Sequence, residues 1–367
     1  MVFPDVDVAV IGGGPAGAST ALTLRRHSAL SVALFEGSAL QAPRLGESLP
    51  AAAAPLLHYI GVWKAFARSR HLPYCDIYGD WGAAIPGPAA SHAAGGGWRL
   101  ARPTFDRVLL EEVRSSGARV TLDARVSRVT FKHAAQGWTV QFKHAGTSLE
   151  CNSRYIVDAG GSAARIARAL GAGFVGDDDL YAVVARYPGE SPCQTSLLLE
   201  PSPIGWWYAT ALKRESTVVL VTDLAGMRQW MPADRNNWTT LLAATRYVNE
   251  GLFGETPSGI TARYIPSRRT LPVCGERWIA VGDAAMSADP LSTLGIAFAL
   301  SSGIGAAHAI VSELNGDNSA REYYGTRAAS IFDGYRWSRE RFYGAEKRWA
   351  DEPFWETRRN RYVSGTV

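Results

Sequence analysis

Residues 6–36 constrain the chain more than any other stretch. Val6 to Ile11 is a run of β-formers, followed by Gly12-Gly13-Gly14-Pro15-Ala16-Gly17 and a helical pattern from Ala18 to Leu24. Leu30 to Phe35 then reads as a second apolar strand that ends on Glu36. Strand, glycine turn, helix, strand and acid, in that order, is the context a dinucleotide-binding βαβ unit requires. Gly12 lets the chain turn sharply out of the strand, Gly14 admits a pyrophosphate to the backbone, and Gly17 lets the helix lie close to the sheet. The positive end of the helix faces the phosphates, and Glu36 is placed to accept hydrogen bonds from a ribose diol.

This motif does not separate a nicotinamide from a flavin dinucleotide; the rest of the chain does. Trp278-Ile279-Ala280-Val281-Gly282-Asp283 reads as a buried strand running into Gly-Asp, whose carboxylate suits a ribityl chain. Asp289-Pro290-Leu291-Ser292-Thr293-Leu294-Gly295 leads into a helix of small residues from Ile296 to Val311. The free N–H groups at Leu294, Gly295 and Ile296 can face an anionic flavin ring. Phe105-Asp106-Arg107 opens another helix, and Ile156 to Ser162 is a strand ending in the turn Gly160-Gly161. In this order the segments point to FAD.

Composition sets the remaining bounds. With 367 residues, 47% hydrophobic and 20% charged, the chain is expected to be an ordinary globular protein of one large or two interleaved domains. A net charge of +4 with no long basic block gives no reason to expect nucleic acid or a membrane surface as a partner. The run Arg358-Arg359-Asn360-Arg361 reads as a solvated face. Cys75, Cys151, Cys193 and Cys274 form no CxxC pair, so no metal is expected and a reduced, cytoplasmic setting fits. No signal-peptide pattern precedes the first strand, and no apolar stretch is expected to reach the ~20 residues of a membrane span.

The series of motifs resembles FAD monooxygenases of the p-hydroxybenzoate hydroxylase-type fold, and within them the tryptophan-halogenase-like branch. The residues that carry the resemblance are Arg44-Leu45-Gly46-Glu47-Ser48-Leu49-Pro50, Trp81-Gly82, Gly205-Trp206-Trp207-Tyr208, Asp283 to Gly295 and Phe354-Trp355. It implies an α/β fold: a glutathione-reductase-like FAD domain, an inserted β-sheet substrate domain and C-terminal helices. The FAD domain would take residues 1–70, 100–180 and 265–315, the substrate domain 71–99 and 181–264, and the helical segment 316–367. Gly12, Gly14, Pro15, Ala16, Gly17, Glu36 and Gly37 would hold the ADP half, with Arg44, Ser48, Arg107, Val126, Asp158 and Gly160 around it. Gly282, Asp283, Pro290, Leu294, Gly295 and Ile296 would hold the flavin half.

Halogenases of this branch resemble one another in a Trp-x-Trp-x-Ile-Pro segment and in a lysine that captures hypohalous acid. Here Gly205-Trp206-Trp207-Tyr208-Ala209-Thr210 lacks that spacing, and His71 to Gly79, where the lysine would fall, contains none. The nearest is Lys64, in a predicted helix. The closer resemblance is to flavoproteins that mature peptide-derived quinone cofactors in amino-acid oxidases and amine dehydrogenases. It implies O2 as co-substrate and hydroxylation of an aromatic side chain in a peptide or partner protein. Electrons would come from NAD(P)H or a separate flavin reductase, since only one dinucleotide fingerprint is present.

Glu47 either positions substrate or acts as acid or base, or is a helix-start residue before Ala51 to Ala54. Trp206 and Tyr208, on one face of a predicted strand, are the candidate pocket aromatics. The other readings are a halogenase or hydroxylase of a free aromatic, a reductase of the geranylgeranyl-reductase type, and a non-catalytic FAD-bound maturation chaperone. Strand-like runs at 182–187, 196–199, 206–211 and 218–222 predict one antiparallel sheet, and 125–150 the small sheet of the FAD domain. Residues 93–97 are the candidate mobile loop. After Ser319 a long helix carries Tyr323, Tyr324, Ile331, Phe332, Tyr335, Phe342, Tyr343 and Trp349, as core or as a partner surface.

Overall fold

The structure, a computed structural model, describes residues 3–39, 48–74, 76–82, 87–88, 96–133, 137–189, 196–212, 215–250 and 256–359. The strand Val6–Ile11 has five of its six side chains buried, because they belong to the main hydrophobic core with Ala18, Leu22 and Phe142. It pairs in parallel with Val32–Phe35 on one side and with the last residues of Thr147–Asp158 on the other. Arg119–Thr121 and Trp278–Ala280 extend this parallel core outward.

The expected small sheet of the FAD domain is continuous with the parallel sheet. Thr147–Asp158 is twelve residues long, so its first half pairs antiparallel with Gly137–His144 while its second half enters the parallel sheet. One strand therefore belongs to both, and the 125–158 hairpin is an arm of an eight-stranded sheet.

The helix Pro15–His27 packs against Gly295–Leu314. Contact is backbone to backbone: a Cβ at Gly303 would sit 2.5 Å from the Ala16 carbonyl oxygen. The Ser19 hydroxyl donates to the Leu300 carbonyl at 2.7 Å. Gly295–Leu314, at 20 residues, is long and apolar enough to cross a membrane, which corrects the expectation that no such stretch exists. Its apolar surface is taken up instead by Pro15–His27 and by the helix Ser319–Ala345.

The second sheet has seven strands, in the order Gly259–Tyr264, Leu180–Pro188, Glu215–Asp223, Gly205–Ala211, Ser196–Ser202, Asp76–Gly79 and Gly87–Pro88. It contains all four predicted runs, and it departs from pure antiparallel pairing where Ser196–Ser202 meets Asp76–Gly79 in parallel. Side chains alternate across it. Val183, Ala185, Trp207, Val218 and Leu220 pack with Trp238 and Leu242 of the helix Arg235–Ala243. Ala182, Val184, Trp206, Val219 and Val221 face Tyr343, Phe354 and Trp355 of the C-terminal helices Ser319–Ala345 and Pro353–Arg359.

Candidate cofactor site

The carboxyl ends of Val6–Ile11, Val32–Phe35, Thr147–Asp158 and Trp278–Ala280 converge on one edge of the first sheet, where open α/β sheets bind ligands. Gly12 has φ +115°, and a Cβ there would lie 2.1 Å from the Ala159 carbonyl oxygen, so the first turn is packed directly on the Asp158–Gly161 turn. A Cβ at Gly17 would come within 2.0 Å of the Gly12 oxygen. Gly14 caps the helix without a side-chain hydrogen bond, Pro15 follows it, and the first turn holds no acid. The N–H groups of that turn therefore face outward for an anion.

Glu36 is buried at the end of its strand; its Oε2 accepts from Gly13 N at 2.7 Å and its Oε1 from Ser38 N at 3.1 Å. The acid is thus fixed beside the glycine turn, with Gly37 exposed next to it. Val126 is half-buried and reaches the same corner, since Ala124 N donates to the Glu36 carbonyl at 2.8 Å.

Gly282 has φ +57°, its N–H donates to Ser302 Oγ at 2.9 Å, and a Cβ on it would lie 2.6 Å from the Ala16 side chain. This brings Asp283 to the glycine helix. Its carboxylate is accessible yet hemmed in by protein, which pushes its pKa up against the pull of the Arg102 guanidinium. Asp289 is buried and builds the next turn: its Oδ1 accepts from Leu291 N at 2.9 Å and its carbonyl from Ser292 N at 3.0 Å. Pro290 and Leu294 are half-buried along this segment. Gly295 is exposed with open space around it, whereas the Ile296 side chain belongs to the core and offers the site only its backbone.

Three sequence expectations change. Arg107 points away, exposed and 3.9 Å from Glu111. One turn earlier, Arg102 is held by a bidentate pair with buried Asp106, both contacts 3.1 Å, and is the cation that acts on Asp283. Its signal was the Arg-x-x-x-Asp spacing at a helix start. Asp158 is not free for a ligand: its carboxylate accepts from Gly160 N at 2.9 Å, Ile166 N at 3.0 Å and Ala167 N at 2.9 Å. It shapes the Gly160 turn, which in turn seats Gly12.

Trp206 does not line an open pocket. It is 1% exposed, and its indole N–H donates to Tyr343 Oη at 3.0 Å. The physical reason is the helix Ser319–Ala345, which lays Tyr343 over this face; Trp81 and Trp355 close around it at ring distances of 5.9 and 5.7 Å. Tyr208, half-buried, is the strand's remaining accessible aromatic, its ring 5.8 Å from Trp206. Half of the predicted stripe is core: Tyr324, Phe332, Tyr335 and Tyr343 are buried, Tyr323 is exposed, and Trp349 lies past the helix end at Ala345.

Ser48 is half-buried on Ser48–Pro50, which pairs with Gly97–Arg99. Arg44, Glu47 and residues 93–95 of the predicted loop lie outside the described residues, and Gly97 is part of a strand rather than a loop.

A glycine cradle without room for Cβ atoms, an uncapped helix start beside a buried acid, and an accessible Asp283 before a second helix start fit FAD. The fold and this cradle define an FAD-dependent oxidoreductase. Residues 5–341 match the FAD binding domain family, and the chain belongs to it. It is 32% identical over 362 residues to the putative FAD-dependent oxidoreductase LodB of Marinomonas mediterranea, covering 96% of each chain. The flavin-dependent halogenase CmlS superposes with a TM-score of 0.85 at 24% identity, over 97% of this chain and 68% of that one. QhpG, a peptidyl tryptophan dihydroxylase essential for tryptophylquinone cofactor biogenesis, gives 0.79 at 23% identity over 99% and 80%.

Proposed function

We propose that this protein is an FAD-dependent monooxygenase that hydroxylates an aromatic side chain, Trp or Tyr, within a peptide or partner protein. The observation that carries the reading is the placement of lysines. Lys64, Lys132, Lys143 and Lys347, the four among the described residues, are all exposed. The strands Leu72–Tyr74 and Asp76–Gly79, where a hypohalite-capturing lysine would stand, contain none. The full-length match to LodB and the fold shared with QhpG support the same direction.

Bound FAD would supply the redox and oxygen chemistry, using O2 and electrons from NAD(P)H or a separate reductase. The chain's own part is to hold and exclude. Gly12 to Gly17 and Glu36 would hold the ADP half, and Asp283 with Arg102 would meet the ribityl side. Tyr208, with the sealed Trp206 packed behind it, would keep water from the reacting ring. The CmlS likeness supports a second reading, halogenation of an aromatic.

The deciding experiment exposes the reduced, FAD-loaded protein to isotopically labelled dioxygen with a tryptophan-containing peptide, with and without bromide. Label on the peptide ring by mass spectrometry, independent of bromide, is the expected result. A brominated product would replace the proposal with the halogenase reading. An unmodified peptide, with peroxide as the sole oxygen product, would end it.

A further inference from the structure

The Asp289 turn, which leads into the second helix start of the cradle, and the second sheet meet at a buried hydroxyl. Tyr343 Oη donates to Asp289 Oδ2 at 2.7 Å and accepts from Trp206 Nε1 at 3.0 Å. Tyr343 is fully buried, and Trp206 and Asp289 are each 1% exposed. Every other approach to the Tyr343 ring is filled. Trp81, Trp355 and Phe354 lie 5.9, 5.7 and 6.1 Å away, and the Arg339 guanidinium sits 5.1 Å from the ring centre.

Each end of this link is committed to other structure. Asp289 builds the Pro290–Ser292 turn through Leu291 N and Ser292 N, and Asp289 N donates to Tyr335 Oη at 3.0 Å. That turn passes through Thr293, at φ +52°, into the helix that begins at Gly295. Trp206 lies two residues from Tyr208 on the same face of its strand. Arg339 reinforces the link by bridging Asp178 and Asp289, the latter at 3.5 Å.

We infer that Tyr343 is a positioning residue through which Trp206 of the second sheet sets the Asp289–Gly295 segment, and with it the environment of the flavin. A side chain displaced on the Trp206–Tyr208 face would then be felt at the helix start. In a packed interior a hydrogen-bonded chain moves as a unit rather than absorbing the shift. The inference rests on the FAD reading of the cradle and is independent of the choice between hydroxylation and halogenation.

The test uses FAD-loaded Trp206→Phe, Tyr343→Phe and the double variant. FAD affinity and the visible circular dichroism of the oxidised flavin are measured for each, beside the thermal midpoint. Each single variant is expected to weaken FAD binding by about threefold or more and to shift the flavin spectrum in the same sense. The double variant should then match Tyr343→Phe alone, since the two residues act in series. Lowered thermal midpoints with FAD affinity and spectrum unchanged would overturn the inference, as would single effects that multiply in the double variant. Should Tyr343→Phe not fold, Trp206→Phe decides alone: a shifted flavin spectrum supports the link, and an unchanged one refutes it.

Discussion

His71 stands between two aromatic rings, 5.1 Å from Phe66 and 6.1 Å from Phe105, and its buried Nε2 meets no polar partner. Burial disfavours the charged imidazolium and lowers its pKa to about 4. The unfolded chain, with an ordinary histidine, binds a proton near pH 6.5, before the folded one does. Stability is therefore complete above about pH 6.5 and falls as the pH drops toward 4. His71→Leu should flatten this limb by on the order of 1 kcal/mol, allowing for partial exposure. Urea unfolding at a series of pH values checks it. A steeper consequence belongs to Gly17, whose Cβ would lie 2.0 Å from a carbonyl oxygen. Gly17→Ala should weaken FAD retention by at least about tenfold, about 1.4 kcal/mol, read by equilibrium dialysis.

At the scale of the element, the helices Pro15–His27 and Gly295–Leu314 form the joint between the two halves of the cofactor cradle. Gly303→Val would drive methyl groups into the Ala16 carbonyl, Ser19 Cβ and Thr20 N, all within 3.0 Å of a bare Cβ. The expected cost is about 1–3 kcal/mol in urea unfolding, with weaker FAD binding because the Gly12 turn and Asp283 separate. Elements of this kind were legible in the sequence where the signal was local. The βαβ unit and the Gly282-Asp283 turn could be read because a few adjacent residues determine each. The Arg102–Asp106 pair had a local signal in its spacing, but that Arg102 and not Arg107 acts on Asp283 is decided by the packing of their helix. Trp206 and Trp207 were recognisable as alternating, but a tyrosine 137 residues later determines that the Trp206 face is closed.

For the whole molecule, a buried ionic cluster supplied from the C-terminal helices ties the second sheet to the strand Gly173–Asp178 and to the Asp289 turn. Arg358, expected on a solvated face, is buried instead: it pairs with Asp178 at 2.8 Å and with Asp223 at 3.0 Å, while Arg339 joins Asp178 to Asp289. Such a cluster adds little net stability over an apolar one, yet removing one of its cations leaves buried carboxylate charge undercompensated. Arg358→Met should cost about 3–5 kcal/mol, with both sheets unfolding together in a single transition that moves to lower temperature. Calorimetry of the FAD-loaded protein would show either that shift or a split into two peaks, and the split would mean the sheets are not coupled.

The aromatic cover that Tyr343, Phe354 and Trp355 lay over the second sheet also carries a consequence for how the protein is made. The last inner-facing strand of that sheet ends at Asp223, more than a hundred residues before Tyr343. At ribosomal speeds, the greasy face of Trp206, Val219 and Val221 stays uncovered for roughly ten seconds while the intervening chain is synthesised. A nascent chain in that interval is a natural client for chaperones. Messages truncated before residue 343 should yield insoluble product rather than a smaller working flavoprotein.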